Sequence, residues 1–279
     1  MAKSIYLFAT SERPDQYLNP IVHCLLEPGL GINKVVLFHI KGFDGGVANK
    51  DLSEKKGLSG DLLRNVQVLL DSLANYGEYR FFTGEKAGER KLLSEVYDSE
   101  RVRAIQSLYK KCLDREISWV NSDIKYLDLR NELKRIQATE PESIFDVTGS
   151  SKAHLGDILS VSIIEGIREI YTFDFKIKPD HDNPWTMLIH DLNLEAQEKR
   201  KYKYVNIVDT HFFRESSNSI LIRTPSIKIS NIAAFVFLIA MLVAYFAFGQ
   251  VNPFVQVAYI LSTVASLLSL YFNFFPPRK

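Results

Sequence analysis

Residues 229–277 contain no Asp, Glu, Lys, Arg or His. Inside that run lie two apolar segments, 232–248 and 254–275, separated by Gly249-Gln250-Val251-Asn252-Pro253. A bilayer core of ~30 Å takes about 20 apolar residues of helix to cross. Both segments approach that length, the first being the shorter, and Gly, Asn and Pro suit a tight reversal. A soluble helical hairpin would normally carry a polar face, and neither segment has a charged residue on any face. The run predicts a hairpin of two transmembrane helices at 229–279. Arg223 and Lys228 precede it and Arg278 and Lys279 follow it, while the reversal is uncharged. Basic flanks favour the cytoplasmic side, so both termini and the region before the hairpin are expected there, in a multi-pass protein of a bacterial inner membrane. The apolar start, residues 4–10, is too short for a signal peptide.

The second segment is patterned. Ser262, Ser266, Ser269 and Asn273 fall within about 60° of one another on a helix turning ~100° per residue, and Tyr259 borders them. Small polar residues in such a stripe serve helix association or line a wet pore. Both readings require partner helices, hence a homodimer or higher homo-oligomer.

Ahead of the hairpin, about 228 residues are enough for one well-buried core. Two of the 34 basic residues are Arg278 and Lys279, so this part holds 32 basic against 33 acidic groups, a formal charge of −1. That balance gives no general attraction for DNA or RNA polymers. The two cysteines, Cys24 and Cys112, sit in helical patterns and suit reduced thiols.

The order of patterns predicts an α/β fold with a Rossmann-like, mostly parallel sheet over residues 1–178. Residues 4–10 and 34–40 read as buried strands around a helix at 17–26, a βαβ unit. After a Gly-rich loop at 41–56 come a helix around Leu62–Leu73 and a short strand at 78–83. A charged helix follows at 89–112, then a strand at 116–120 and a helix at 123–138. A strand at 143–147, a helix at 152–166 and a strand at 168–175 complete the unit. In residues 179–228, short strands at 186–190, 204–208 and 219–223 suggest a small added β element and linker, with a charged helix or hairpin arm at 195–203.

Ligands of open α/β sheets sit beyond the carboxyl ends of the strands. One such end carries Thr10, Ser11 and Arg13. Another carries Asp146-Val147-Thr148-Gly149-Ser150-Ser151-Lys152, which opens a helix. Gly149 permits close approach to the backbone, the hydroxyls and Lys152 offer donors, and a helix N-terminus favours an anion. This is a candidate phosphate seat. The plain alternative is an N-cap, and for Arg13 a solvated loop charge. Asp146 is better placed to orient the turn than to touch an anion.

The strand, the Asp146-Val-Thr148-Gly149-Ser150-Ser151-Lys152 loop and the helix after it resemble the Asp-x-Thr-Gly-Gly-Thr-Lys signature of CARF domains, the CRISPR-associated Rossmann folds. The resemblance extends over residues 1–178. Asp146, Thr148, Gly149 and Lys152 match the signature; Ser150 and Ser151 replace its Gly and Thr, and Ser150 puts a side chain where the family has none. The resemblance implies a cyclic oligonucleotide ligand, bound across a homodimer, and a signal passed to an attached effector. With the hairpin, that implies a membrane-disrupting or pore-forming effector of prokaryotic antiphage defence, CRISPR-linked or CBASS-like. Slow ligand cleavage by such a domain stays open.

The rival reading is a membrane-anchored nucleotide hydrolase or nuclease tethered by the hairpin, using Asp146 or Asp174. Asp174-Phe-Lys176 is too short a match to carry it. The six histidines are scattered, and no spacing with the cysteines suggests a structural zinc site, so no metal or cofactor is expected. His154 lies just inside the loop helix, where it could meet a ligand but more simply belongs to the helix surface. Asp180-His-Asp182 could bind a cation but reads more simply as a solvated turn. No nucleophile elbow or Walker loop occurs.

Overall fold

The computed structural model describes residues 3–27, 29–41, 58–193, 200–211 and 213–215. The chain divides into two units, Met1–Phe213 and Arg214–Lys279. The predicted hairpin, with Tyr259, Ser262, Ser266, Ser269 and Asn273, lies outside the described residues. So do the predicted strand at 219–223, nearly all of the Gly-rich loop at 41–56, and residues 195–199 of the charged arm. Among the described residues no helix is long and apolar enough to cross a membrane.

In the first unit, β1 (Lys3–Ala9), α1 (Asp15–Leu26) and β2 (Ile32–Lys41) form the expected βαβ unit. There follow α2 (Leu58–Asp71), β3 (Glu78–Arg80), β4 (Arg90–Leu92), α3 (Ser99–Leu113) and β5 (Ser118–Lys125). The chain continues through α4 (Leu129–Thr139), β6 (Ile144–Asp146), α5 (Lys152–Glu165), β7 (Ile170–Phe175), α6 (Ile189–Leu192) and β8 (Tyr202–Asn206). The main sheet has six strands in the order β5-β2-β1-β6-β7-β8. All its pairings are parallel except β7 with β8.

The sheet is buried on both faces because its central strands carry unbroken apolar runs, residues 5–9 in β1 and 35–38 in β2. In β1, Ile5, Leu7 and Ala9 join one core with α1, α2 and α3, whereas Tyr6 and Phe8 join the other with α4 and α5. Strand alternation sends neighbouring side chains to opposite layers, giving helix, sheet and helix layers. On α4, Leu129, Leu133 and Ile136 recur at helical spacing and are buried. Each such side chain contributes about 1.5–3 kcal/mol of transfer free energy. Gly166 ends α5 at φ +69°, a left-handed cap that a β-carbon would strain.

Several expectations are corrected. Residues 89–112 are not one helix. Arg90–Leu92 pairs with Glu78–Arg80 in a separate antiparallel ribbon, and helix begins only at Ser99. Leu92 and Val96, placed at helical spacing, are exposed instead. The strand expected at 116–120 runs on to Lys125, because β5 pairs with β2 as far as Lys41↔Lys125; the helix expected from 123 therefore starts at Leu129. The strand expected at 186–190 is a 3-10 turn, Pro184–Met187, followed by α6. The added β element is no separate piece: β8 is the antiparallel edge of the main sheet.

Helix α3 begins at a cap visible in the structure. The Asp98 carboxylate accepts the Arg101 N–H at 2.7 Å, satisfying one of the donors that a helix start leaves open. Asp98→Ala is expected to cost about 1 kcal/mol in urea unfolding of the full chain. An unchanged midpoint would mean that the start of α3 is not held there.

Candidate ligand site at the switch point of the sheet

From β1 the chain winds outward through β2 to β5, then returns to the other side of β1 with β6 and continues through β7 to β8. The direction of winding reverses between β1 and β6, and this is where ligands of open α/β sheets bind. Leu7 of β1 lies level with Asp146 of β6, so the loops leaving the two strands emerge side by side. The sequence-predicted residues of both loops therefore meet. The Thr10 hydroxyl donates to the Gly149 carbonyl at 2.6 Å.

Tyr17, from the first turn of α1, fastens the two loops. Its hydroxyl accepts N–H bonds from Ser11 at 2.9 Å and Thr10 at 3.2 Å, and lies 3.0 Å from the Ser11 carbonyl and 3.5 Å from that of Gly149. The ring is fully buried, and burial raises the phenol well above its ordinary pKa. A β-carbon on Gly149 would stand 2.2 Å from Tyr17 Cε1 and 2.6 Å from Cζ. The glycine of the loop is required by this internal contact, whatever else approaches it.

Asp146 is fully buried. Its carboxylate accepts the Thr148 N–H at 3.0 Å, the Thr148 hydroxyl at 3.1 Å and the Tyr204 hydroxyl from β8. Burial pushes its pKa up to about 7, against the pull of those donors. The Thr148 oxygen also accepts the Phe173 N–H at 2.8 Å, so both Asp146 and Thr148 serve to brace the loop against β7 and β8.

The face left toward a ligand is the start of α5. Ser150 turns the chain, its N–H donating to the Val147 carbonyl at 3.0 Å. Its hydroxyl oxygen is buried with no hydrogen-bond partner among the described residues. Ser151 caps α5, accepting the His154 N–H at 3.4 Å with the His154 Nδ1 at 2.8 Å. Burial lowers the His154 pKa, with Asp157 opposing it. Lys152 is exposed at the first helical position.

Arg13 sits at the rim. Its guanidinium grips Asp15 through Nη2 at 2.6 Å and Nε at 3.3 Å, and Nη1 lies 3.4 Å from His181 Nδ1 in the loop after β7. The Ser11 hydroxyl accepts the Arg13 N–H at 3.3 Å. Much of the Arg13 charge is thus met by Asp15. In the 180–182 turn, Asp180 accepts N–H bonds from Asp182 and Asn183, each at 3.1 Å. Asp174 is exposed on β7. Among the described residues no group of three or more His, Cys, Asp or Glu gathers as a metal site would.

Sequence reasoning missed Tyr17, Tyr204 and His181. In the sequence Tyr17 reads only as part of a helix, and Tyr204 only as part of a short strand. Nothing in their spacing signals a contact with residues more than a hundred positions away in one case and fifty-eight in the other.

No protein-family model matches the chain, and no curated protein matches it at a significant level. Among solved structures it is similar to Enterococcus italicus Csm6 bound to cyclic hexa-2'-fluoro-hexa-dAMP, at 11% identity and a TM-score of 0.36, over 98% of this chain and 56% of that one. The chain spans little more than half the length of that protein. At such a distance the likeness carries no argument about function.

Proposed function

We propose that the chain is a CARF-like sensor of a cyclic oligonucleotide, coupled to a C-terminal membrane hairpin that disrupts the bilayer or forms a pore in prokaryotic antiphage defence. The observation that supports it is the placement of the Asp146–Lys152 loop. The loop lies at the reversal of winding between β1 and β6, tied to Thr10 across it. The start of α5 there offers helix N–H groups and the exposed Lys152 ammonium to phosphate oxygens, and the buried Ser150 hydroxyl has no partner among the described residues.

In this reading the ligand binds across a homodimer, and the uncharged run at 229–277 supplies the lipid-embedded part, with the first unit and both termini cytoplasmic. Binding shifts the helices only if the ligand prefers one arrangement of protomers over the other. The rival hydrolase would employ Asp146, but a fully buried carboxylate bonded to Thr148 and Tyr204 is poorly placed to meet a substrate.

The test is thermal shift and calorimetry of the full chain with cyclic di-, tri-, tetra- and hexa-adenylate. Binding of at least one is expected. Lys152→Ala is expected to weaken it at least tenfold while leaving the unliganded melting temperature unchanged, because Lys152 is exposed. Silence across the panel, or full affinity in the variant, would remove the reading.

A further inference from the structure

The loop at the switch point is rooted on a buried carboxyl group of its own. The carboxylate of Asp146 lies at its root, and the titratable side chains that feel its charge are themselves acids: Tyr17 and Cys24 on α1 and Tyr204 on β8. Each of these is raised by burial and stays neutral near pH 7. The groups acting on Asp146 are Thr148 and Tyr204, both hydrogen-bond donors and neither a cation. A buried charge without a counter-ion is costly. A second negative charge on the same loop raises that cost, and the most direct relief is a proton on the carboxylate. The ionised carboxylate also draws on the Thr148 N–H and hydroxyl, donors that belong to the same loop as the candidate seat.

We propose that an anion seated on the 147–152 loop binds together with a proton taken from solvent by the Asp146 carboxylate, which makes the site a proton-coupled receptor. The proposal rests on the phosphate-seat reading above. The step forms one O–H bond and breaks none in the protein or ligand, and the proton comes from water. Its working range is near neutrality, since burial holds the carboxyl at about 7. His154, in the first turn of the loop helix, is lowered by burial, with Asp157 opposing it. Phosphodiesters do not titrate near neutrality.

The experiment is calorimetry of the full chain with the same cyclic adenylates, below and above neutrality, in two buffers of different ionisation enthalpy. Affinity is expected to be flat on the acid side and to weaken up to tenfold per pH unit above the carboxyl's titration. Proton uptake is expected to approach one per ligand on the alkaline side. Asp146→Asn is expected to flatten both. Tyr204→Phe, which removes a donor to the charged form, moves the onset to higher pH and serves if the first variant does not fold. Binding with pH-independent affinity and no proton uptake overturns this inference and leaves the phosphate seat standing. Absence of binding at every pH removes both.

Discussion

Gly149→Ala is expected to destabilise the protein by about 3 kcal/mol, the upper part of the usual range for overpacking a buried site. The added methyl would fall 2.2 Å from Tyr17 Cε1 and 2.7 Å from its hydroxyl. One of them must move, and Tyr17 has nowhere to go. Its ring is fully buried, and its oxygen is held by the Thr10 and Ser11 N–H groups. Moving the loop instead would strain the Thr10 bond to the Gly149 carbonyl and the Thr148 bonds to Asp146. Tyr17→Phe should give no relief, because the ring carbon makes the shortest contact. Tyr17→Ala combined with Gly149→Ala should cost clearly less than the sum of the two single changes, the signature of a direct contact. Equilibrium urea unfolding of the full chain measures the parent and each variant. A Gly149→Ala variant within about 0.5 kcal/mol of the parent would mean that the ring is not seated against the loop.

Acid is expected to unfold the protein well before its carboxylates are exhausted. His23 is bonded to the Tyr202 hydroxyl at 3.0 Å and His190 to that of Tyr109 at 2.8 Å. Both are buried, and burial lowers each pKa to about 4 from the usual 6.5. Below pH 6.5 the unfolded chain takes up protons that the folded chain refuses. Each histidine therefore removes about 1.4 kcal/mol of stability per pH unit down to about 4. Asp146 acts in the opposite sense. Its carboxyl, held at about 7 in the folded chain, keeps a proton that the unfolded chain loses near 3.9, so its contribution falls as pH rises through that window. One of these two histidines is offset, leaving these three groups a net loss of about 1.4 kcal/mol per unit on acidification from 6.5, to which His39 and His154, also lowered by burial, add in the same sense. Between 6.5 and 7 only Asp146 still changes, which places the crest of stability near pH 6.5. His190→Gln, which keeps a partner for Tyr109, should flatten the acid limb. Parallel curves for variant and parent would show that His190 is not buried in its neutral form.

The elements that could be read from sequence are those specified by their own residues. Apolar runs gave β1, β2, β6 and β7, and α5 is bounded by Ser151 and Gly166. The errors lie where distant pairing decides. Arg90–Leu92 is strand only because Glu78–Arg80 lies beside it, and β5 reaches Lys125 only because β2 is long enough to pair with it. The segment 186–190 carries a short apolar run like a strand, yet Pro184 begins a turn whose Trp185 and Met187 pack inward. The site divides in the same way. Residues 146–152 could be found because loop chemistry is local. The reason for Gly149 could not be found locally, because it is the Tyr17 ring, 132 residues earlier.

Strand β8 runs opposite to its neighbours: Tyr202 lies level with Phe175 at the carboxyl end of β7, and Asn206 with Tyr171 further back. The polypeptide thus leaves the sheet at the end opposite the carboxyl end of β7, after about 17 Å of a five-residue strand, with residues 207–213 still part of the first unit. Any news of an occupied crevice that travels along the covalent chain must be relayed through this one ribbon. Tyr204, touching Asp146 at one tip and stacked on Tyr171 at 4.8 Å, is the rung by which it would start.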